Sequence, residues 1–127
     1  MKTFSKLIYT VFILAVTVFA SKAQAPTNQD CPNAIPICNT TYSTVISYSG
    51  TGSIPNEINS GSSCLLSGER NDVWYTFTTP FFGNLNFTIT PNNPADDYDW
   101  AVYNLTTATC ADIYTNPSIE VSCNYAP

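Results

Sequence analysis

The densest chemistry in the sequence lies at Asn92-Asn93-Pro94-Ala95-Asp96-Asp97-Tyr98-Asp99-Trp100. Asp97 and Asp99 are two residues apart at the entry to a predicted strand, and a period of two puts both carboxylates on one face. Like charges that close repel each other unless water screens them or a cation sits between them. Calcium suits an all-oxygen set of carboxylates, amide carbonyls and water. Glu69 and Asp72 open the preceding predicted strand, so Glu69, Asp72, Asp97 and Asp99 form a candidate calcium set. The alternative is a solvated acidic loop. Paired carboxylates also serve as acid and base in glycoside hydrolysis. A small hydrolase would use Glu69, Asp97 or Asp99, but it needs a cleft that a partial sandwich has little wall to build. The expectation is a non-enzyme.

Aromatic residues form the second feature. Trp74, Tyr98 and Trp100 fall on predicted strands, and Phe81-Phe82 falls in a turn. Flat rings on a sandwich face can stack on sugars, while aromatics at strand spacing more commonly build core. Trp100, Tyr98, Phe81 and Phe82 are the candidate ligand contacts, facing an extracellular glycan or protein surface. Asn39, Asn86 and Asn104 each start an Asn-x-Thr sequon, which matters only in a host that glycosylates it.

Residues 1–23 read as a signal peptide: Lys2 and Lys6, an apolar run from Leu7 to Ala20, then Ser21-Lys22-Ala23. That run is shorter than the roughly 20 residues a bilayer span needs, so no membrane insertion follows cleavage. Processing leaves Arg70 as the lone cation against nine carboxylates, a net charge of −8. Such a chain has no basic patch for phosphates, which excludes nucleic acid as a partner. The absence of histidine excludes His triads and His metal sites.

An exported chain meets an oxidising compartment, so its five cysteines are expected to form disulfides. No C-x-x-C pair favours zinc. The first expected pairing is Cys110–Cys123, across a short excursion that returns to a strand. Cys31–Cys38 is the second. The odd cysteine points to a partner outside this chain.

These features need positioning elements. Residues 24–39, with Pro26, Pro32 and Pro36, read as a disulfide-containing N-terminal loop segment. Residues 40–127 read as a β-sandwich domain. Its predicted strands are Thr40–Ser49, Val73–Thr79, Asn84–Thr90, Tyr98–Leu105 and Ser118–Cys123, with one helical turn within Thr106–Tyr114. Asn84–Thr90 alternates cleanly, with Leu85, Phe87 and Ile89 inward. Short strands divided by turn signals predict an all-β, antiparallel, jelly-roll-like sandwich. Five strands are few for closure, so the domain is expected to be incomplete at its C-terminus.

The run Gly68-Glu69-Arg70-Asn71-Asp72-Val73-Trp74-Tyr75-Thr76-Phe77-Thr78, then Gly83-Asn84-Leu85-Asn86-Phe87-Thr88-Ile89-Thr90-Pro91, then Asp96-Asp97-Tyr98-Asp99-Trp100-Ala101-Val102-Tyr103-Asn104, resembles the N-terminal module of large secreted surface proteins of Bacteroidetes-type bacteria. The opening Asp30-Cys31-Pro32-Asn33-Ala34-Ile35-Pro36-Ile37-Cys38 fits the same pattern. That resemblance implies type IX secretion and an adhesive or gliding role. More distantly, Trp74-Tyr75-Thr76-Phe77 with Asp97-x-Asp99-Trp100-x-Val102-Tyr103 is similar to pre-peptidase C-terminal and CUB-like sandwiches, some of which bind calcium through acidic loops. Asn104 stands nearest the place of the second CUB aspartate. The expected function is a non-catalytic accessory module of an exported cell-surface protein, adhesive or structural and calcium-stabilised. The alternative is a carbohydrate- or protein-binding module attached to a secreted enzyme.

Overall fold

Prolines shape the start of the described chain, residues 27–125 of the computed structural model; the expected signal peptide lies outside those residues. Pro32 occupies the first turn of a 3-10 helix, Cys31–Asn33, where a missing N–H costs nothing. Pro36 ends β1, Ile35–Pro36, which pairs with β2, Tyr75–Thr76. The Ile35 N–H donates to the Trp74 carbonyl and the Ile37 N–H to the Thr76 carbonyl, each at 2.8 Å. Pro36 therefore falls where the ladder uses no donor. This pair is parallel, and it puts a short strand in the 24–39 segment expected to be loop, beside a strand of the region expected to pair antiparallel. Residues 37–74 supply the long crossover that parallel strands require.

The second sheet pairs β3, Trp100–Tyr103, with β4, Glu120–Asn124, antiparallel, with a bulge between Val102 and Tyr103. Their connection carries α1, Cys110–Ile113, and a 3-10 helix, Pro117–Ile119. The Asp112 carboxylate accepts from both the N–H and the hydroxyl of Thr109 at 2.8 Å, closing the first turn of α1. Those bonds hold the Asp112 carboxyl below its ordinary range. Asn116 performs a similar task, accepting from the Ser118 N–H at 3.1 Å.

The core sits where these short helices meet the 57–65 segment. Cys31, Ile58, Ile113 and Ile119 are buried, with Trp74, Tyr103 and Leu105 packed against them. Ile113 is fully buried. The Trp74 and Tyr103 rings lie 5.9 Å apart, so Trp74 faces the core while Tyr75 and Phe77 face outward.

Two disulfides join distant parts of the chain: Cys31–Cys110 and Cys64–Cys123. They correct both expected pairings, Cys110–Cys123 and Cys31–Cys38. The N-terminal 3-10 helix packs on α1, which brings the Cα atoms of Cys31 and Cys110 to 5.7 Å. Cys123 on β4 meets Cys64 of the 50–68 loop instead, with Cα atoms 6.4 Å apart. β1 carries the chain away from Cys31 and leaves Cys38 a free, exposed thiol. The molecule is mostly non-helical, with its described strands in two two-stranded sheets. Residues 40–49 and 84–90, predicted as strands, have no ladder. Leu85, Phe87 and Ile89 remain about 45 % exposed. Alternation specifies which face is apolar, but a ladder needs a neighbour in register, and that neighbour is non-local. Among the described residues no helix is long and apolar enough to cross a membrane. The two disulfides are consistent with an extracellular protein.

Candidate functional site

Three chain segments, 27–31, 50–57 and 69–74, bring four carboxylates into one buried neighbourhood. Asp30 is its most saturated member. Its Oδ1 accepts from the Ser53 and Ile54 N–H groups at 2.8 and 2.6 Å. Its Oδ2 accepts from the Thr27 N–H, and from the Thr27 hydroxyl at 3.0 Å. Burial alone would raise this carboxyl, but the donors from Thr27, Ile54 and Ser53 outweigh it and hold Asp30 below its ordinary range. Gly52, at φ +68°, is required here: a Cβ on it would lie 2.5 Å from Asp30 Oδ1.

Glu57 stands close enough to Asp30 to feel its charge. Both its carboxylate oxygens accept the Cys31 N–H at 3.1 Å. Its own N–H donates to Glu69 Oε2 at 2.9 Å. Glu69 Oε1 and both oxygens of Asp72 are buried and have no hydrogen-bond partner, as does Trp74 Nε1. Burial pushes the Glu69 carboxyl up to about 8, reinforced by Asp72 and Glu57 and opposed by the Glu57 N–H. Burial pushes Glu57 up to about 7, with Asp30 and Asp72 adding to the rise and the Cys31 N–H opposing it. Asp72 is raised by burial as well, against the pull first of Glu69 and then of its own backbone, Trp74 and Gln29.

These shifts make a pH prediction for metal-free protein in chelator. Glu57 and Glu69 bind more protons folded than unfolded, because their folded values lie above the ordinary 4.5. Stability is therefore lost as pH rises from about 4.5 to about 8. Asp30 works oppositely: its contribution is lost as pH falls below the ordinary 3.8. A stability maximum near about pH 4–5 is expected in a series of calorimetric melts; a maximum above about pH 7 would contradict it.

The acidic tip is a different place. Asp97 and Asp99 are exposed. Asp96 and Asp97 rim a recess of about 240 Å³ whose apolar lining includes Phe87, Tyr98 and Trp100. Phe87 and Trp100 meet edge to face, with centroids 4.9 Å apart. Thus Tyr98 and Trp100 share one surface, whereas Phe81 and Phe82 stand almost fully exposed beside a shallow hollow lined by Thr79, Pro80 and Thr106. Glu69 and Asp72 meet each other, and Asp97 and Asp99 lie at the tip. Among the described residues, the one trio of Cys, Asp or Glu ligand atoms all within 4.8 Å is Cys64, Glu120 and Cys123, and its two sulfurs form the disulfide.

Asp30 and Glu57 enter the buried site, and Phe87 the recess, without having been candidates for either from sequence; Phe87 was expected to face a core. Asp30 stands directly before a Cys-Pro helix start, a position that favours aspartate, but its side chain makes no cap and instead bonds Thr27, Ser53 and Ile54, which no local pattern signals. Glu57 sits in a Gly-, Ser- and Asn-rich loop, where no periodicity reports what a side chain faces. Comparison of this chain with known families, characterised proteins and solved structures found no match.

Proposed function

We propose that this chain is a non-catalytic accessory module of an exported cell-surface protein. In this reading it is a jelly-roll-like sandwich of the kind that opens large secreted surface proteins of Bacteroidetes-type bacteria, carried by type IX secretion. It makes adhesive or structural contact with an extracellular glycan or protein. The observation that carries the reading is the recess beside Trp100, which aromatic side chains and carboxylates line together. Ring faces stack on the apolar faces of sugars, and carboxylates accept from sugar hydroxyls. The strong negative charge disfavours anionic partners. The two disulfides suit the oxidising side of export. The half-exposed face of Leu85, Phe87 and Ile89 is the apolar area that a second layer covers in a sandwich.

A hydrolase that paired Glu69 with Asp97 or Asp99 would need both on one substrate, yet Glu69 is buried and does not line the recess that Asp97 lines. The same recess also serves a carbohydrate-binding module attached to a secreted enzyme, and adjoining coding sequence separates the two: a catalytic domain in one case, repeats and a sorting tail in the other.

The test is retention on a glycan array and on insoluble polysaccharides. Trp100→Ala and Tyr98→Ala are expected to weaken retention by about tenfold or more, as loss of a central aromatic anchor does. Equal retention by wild type and both variants would remove the recess as the contact. Loss confined to Phe81→Ala and Phe82→Ala would move the contact to that turn. Glycan turnover abolished by Asp99→Asn would replace this reading with hydrolysis.

A further inference from the structure

We infer that Glu69 and Asp72 hold a divalent cation, calcium by the chemistry of the donors, at the buried junction of residues 27–31, 50–57 and 69–74. Glu69 is nine-tenths buried. One of its oxygens accepts the Glu57 N–H and the other, Oε1, has no partner. Both Asp72 oxygens are likewise closed to solvent and unpartnered. Carboxylate oxygens removed from water need a donor, a proton or a metal, because an uncompensated buried charge is very costly.

The chain has few ways to meet that need. Arg70, its lone cation beyond the expected signal peptide, sits between the two acids in sequence but is exposed. A shared proton neutralises one of the two charges. A divalent ion balances both and can satisfy three oxygens at once. Glu57 is held in place by the Cys31 N–H and adds a further negative charge beside Glu69. With only oxygen donors, and neither imidazole nor free thiolate, the set favours a hard ion, with water or main-chain carbonyls completing the shell. The buried Gln29 carboxamide and the unpartnered Trp74 indole stand beside Asp72. The inferred ion is thus away from the exposed acidic tip of Asp97 and Asp99, and its role is to clamp the N-terminal segment to the 50–72 loop. This inference is independent of the glycan reading.

The test uses full-length, oxidised, chelator-stripped protein and calcium chloride. Titration calorimetry is expected to give about one ion per chain with Kd on the order of 10⁻⁴–10⁻³ M, the range of extracellular calcium modules. The melting temperature is expected to rise with calcium concentration. Glu69→Gln and Asp72→Asn nearly preserve shape and remove the repulsion. Both variants are expected to melt at or above wild type without calcium, while binding the ion at least about tenfold more weakly, a combination that misfolding cannot produce. Terbium in the same site should show emission sensitised by the adjacent indole, lost in Trp74→Phe. No binding at about 10 mM calcium, wild-type affinity in Glu69→Gln, or loss confined to Asp97→Asn would each overturn the inference. A melting temperature that responds to pH but not to calcium would assign the two carboxyls to a shared proton instead.

Discussion

Replacing Asp30 with alanine is expected to destabilise the protein by about 3–5 kcal/mol, a large part of the roughly 5–15 kcal/mol that holds a typical domain together. Asp30 is fully buried and binds two places at once: the Thr27 turn through Oδ2, and the Ser53 and Ile54 backbone through Oδ1. Alanine removes all of these acceptors and leaves a void where Gly52 now approaches the carboxylate. Loss of an acceptor in a buried setting costs about 1–3 kcal/mol per donor left unsatisfied, which sets the size of the effect. Asp30→Asn is expected to lose less, because its carbonyl can still accept from the 53–54 backbone while its amide faces the Thr27 N–H. Chemical denaturation of the three proteins reads the difference. Limited proteolysis should also show faster cleavage within residues 50–54 of the alanine variant. A change under about 1 kcal/mol would show that Asp30 does not join the two segments.

Removing the Cys31–Cys110 disulfide by the double substitution Cys31→Ala, Cys110→Ala is the second large effect. The bridge spans a sequence separation of 79 residues. Loop-closure entropy for a ring of that size is worth about 4.5 kcal/mol, within the observed range of about 2–5 for native disulfides. The expected drop in melting temperature is about 15–30 °C. Cys31 is also part of the core and donates its N–H to Glu57, so the same change loosens the buried carboxylates. Peptide mapping of unreduced protein provides the direct check. It should recover Cys31 with Cys110 and Cys64 with Cys123, and alkylation without reductant should label Cys38 alone. Recovery of Cys110 joined to Cys123 would refute the observed connectivity.

Local pattern and composition made much of this molecule readable. The proline-rich opening, the turn at Phe81-Phe82, a strand within 98–105, the terminal strand and the single helical turn after Thr106 all follow from residue types and short spacings. The excess of acid over base follows by counting. Those features depend on neighbours within a few residues, which a sequence displays directly. Trp74 illustrates the boundary: alternation put it opposite Val73, Tyr75 and Phe77, but could not say which side faced the core.

Long-range closure decided the rest. Cysteine spacing suggested the short loops 31–38 and 110–123, whereas packing of the first 3-10 helix on α1 and of the 50–68 loop on β4 selected two long ones. The strand after Ile35 found a parallel neighbour about forty residues on because a crossover was there to permit it. Glu69 and Asp72 were visible as an acidic pair, but their companions were not the acids of the next loop. They were Glu57 and Asp30, twelve or more positions earlier, buried among backbone donors. A side chain's type states what it can bind; only the folding of distant segments onto one another determines whether water, a donor or another charge is there to meet it.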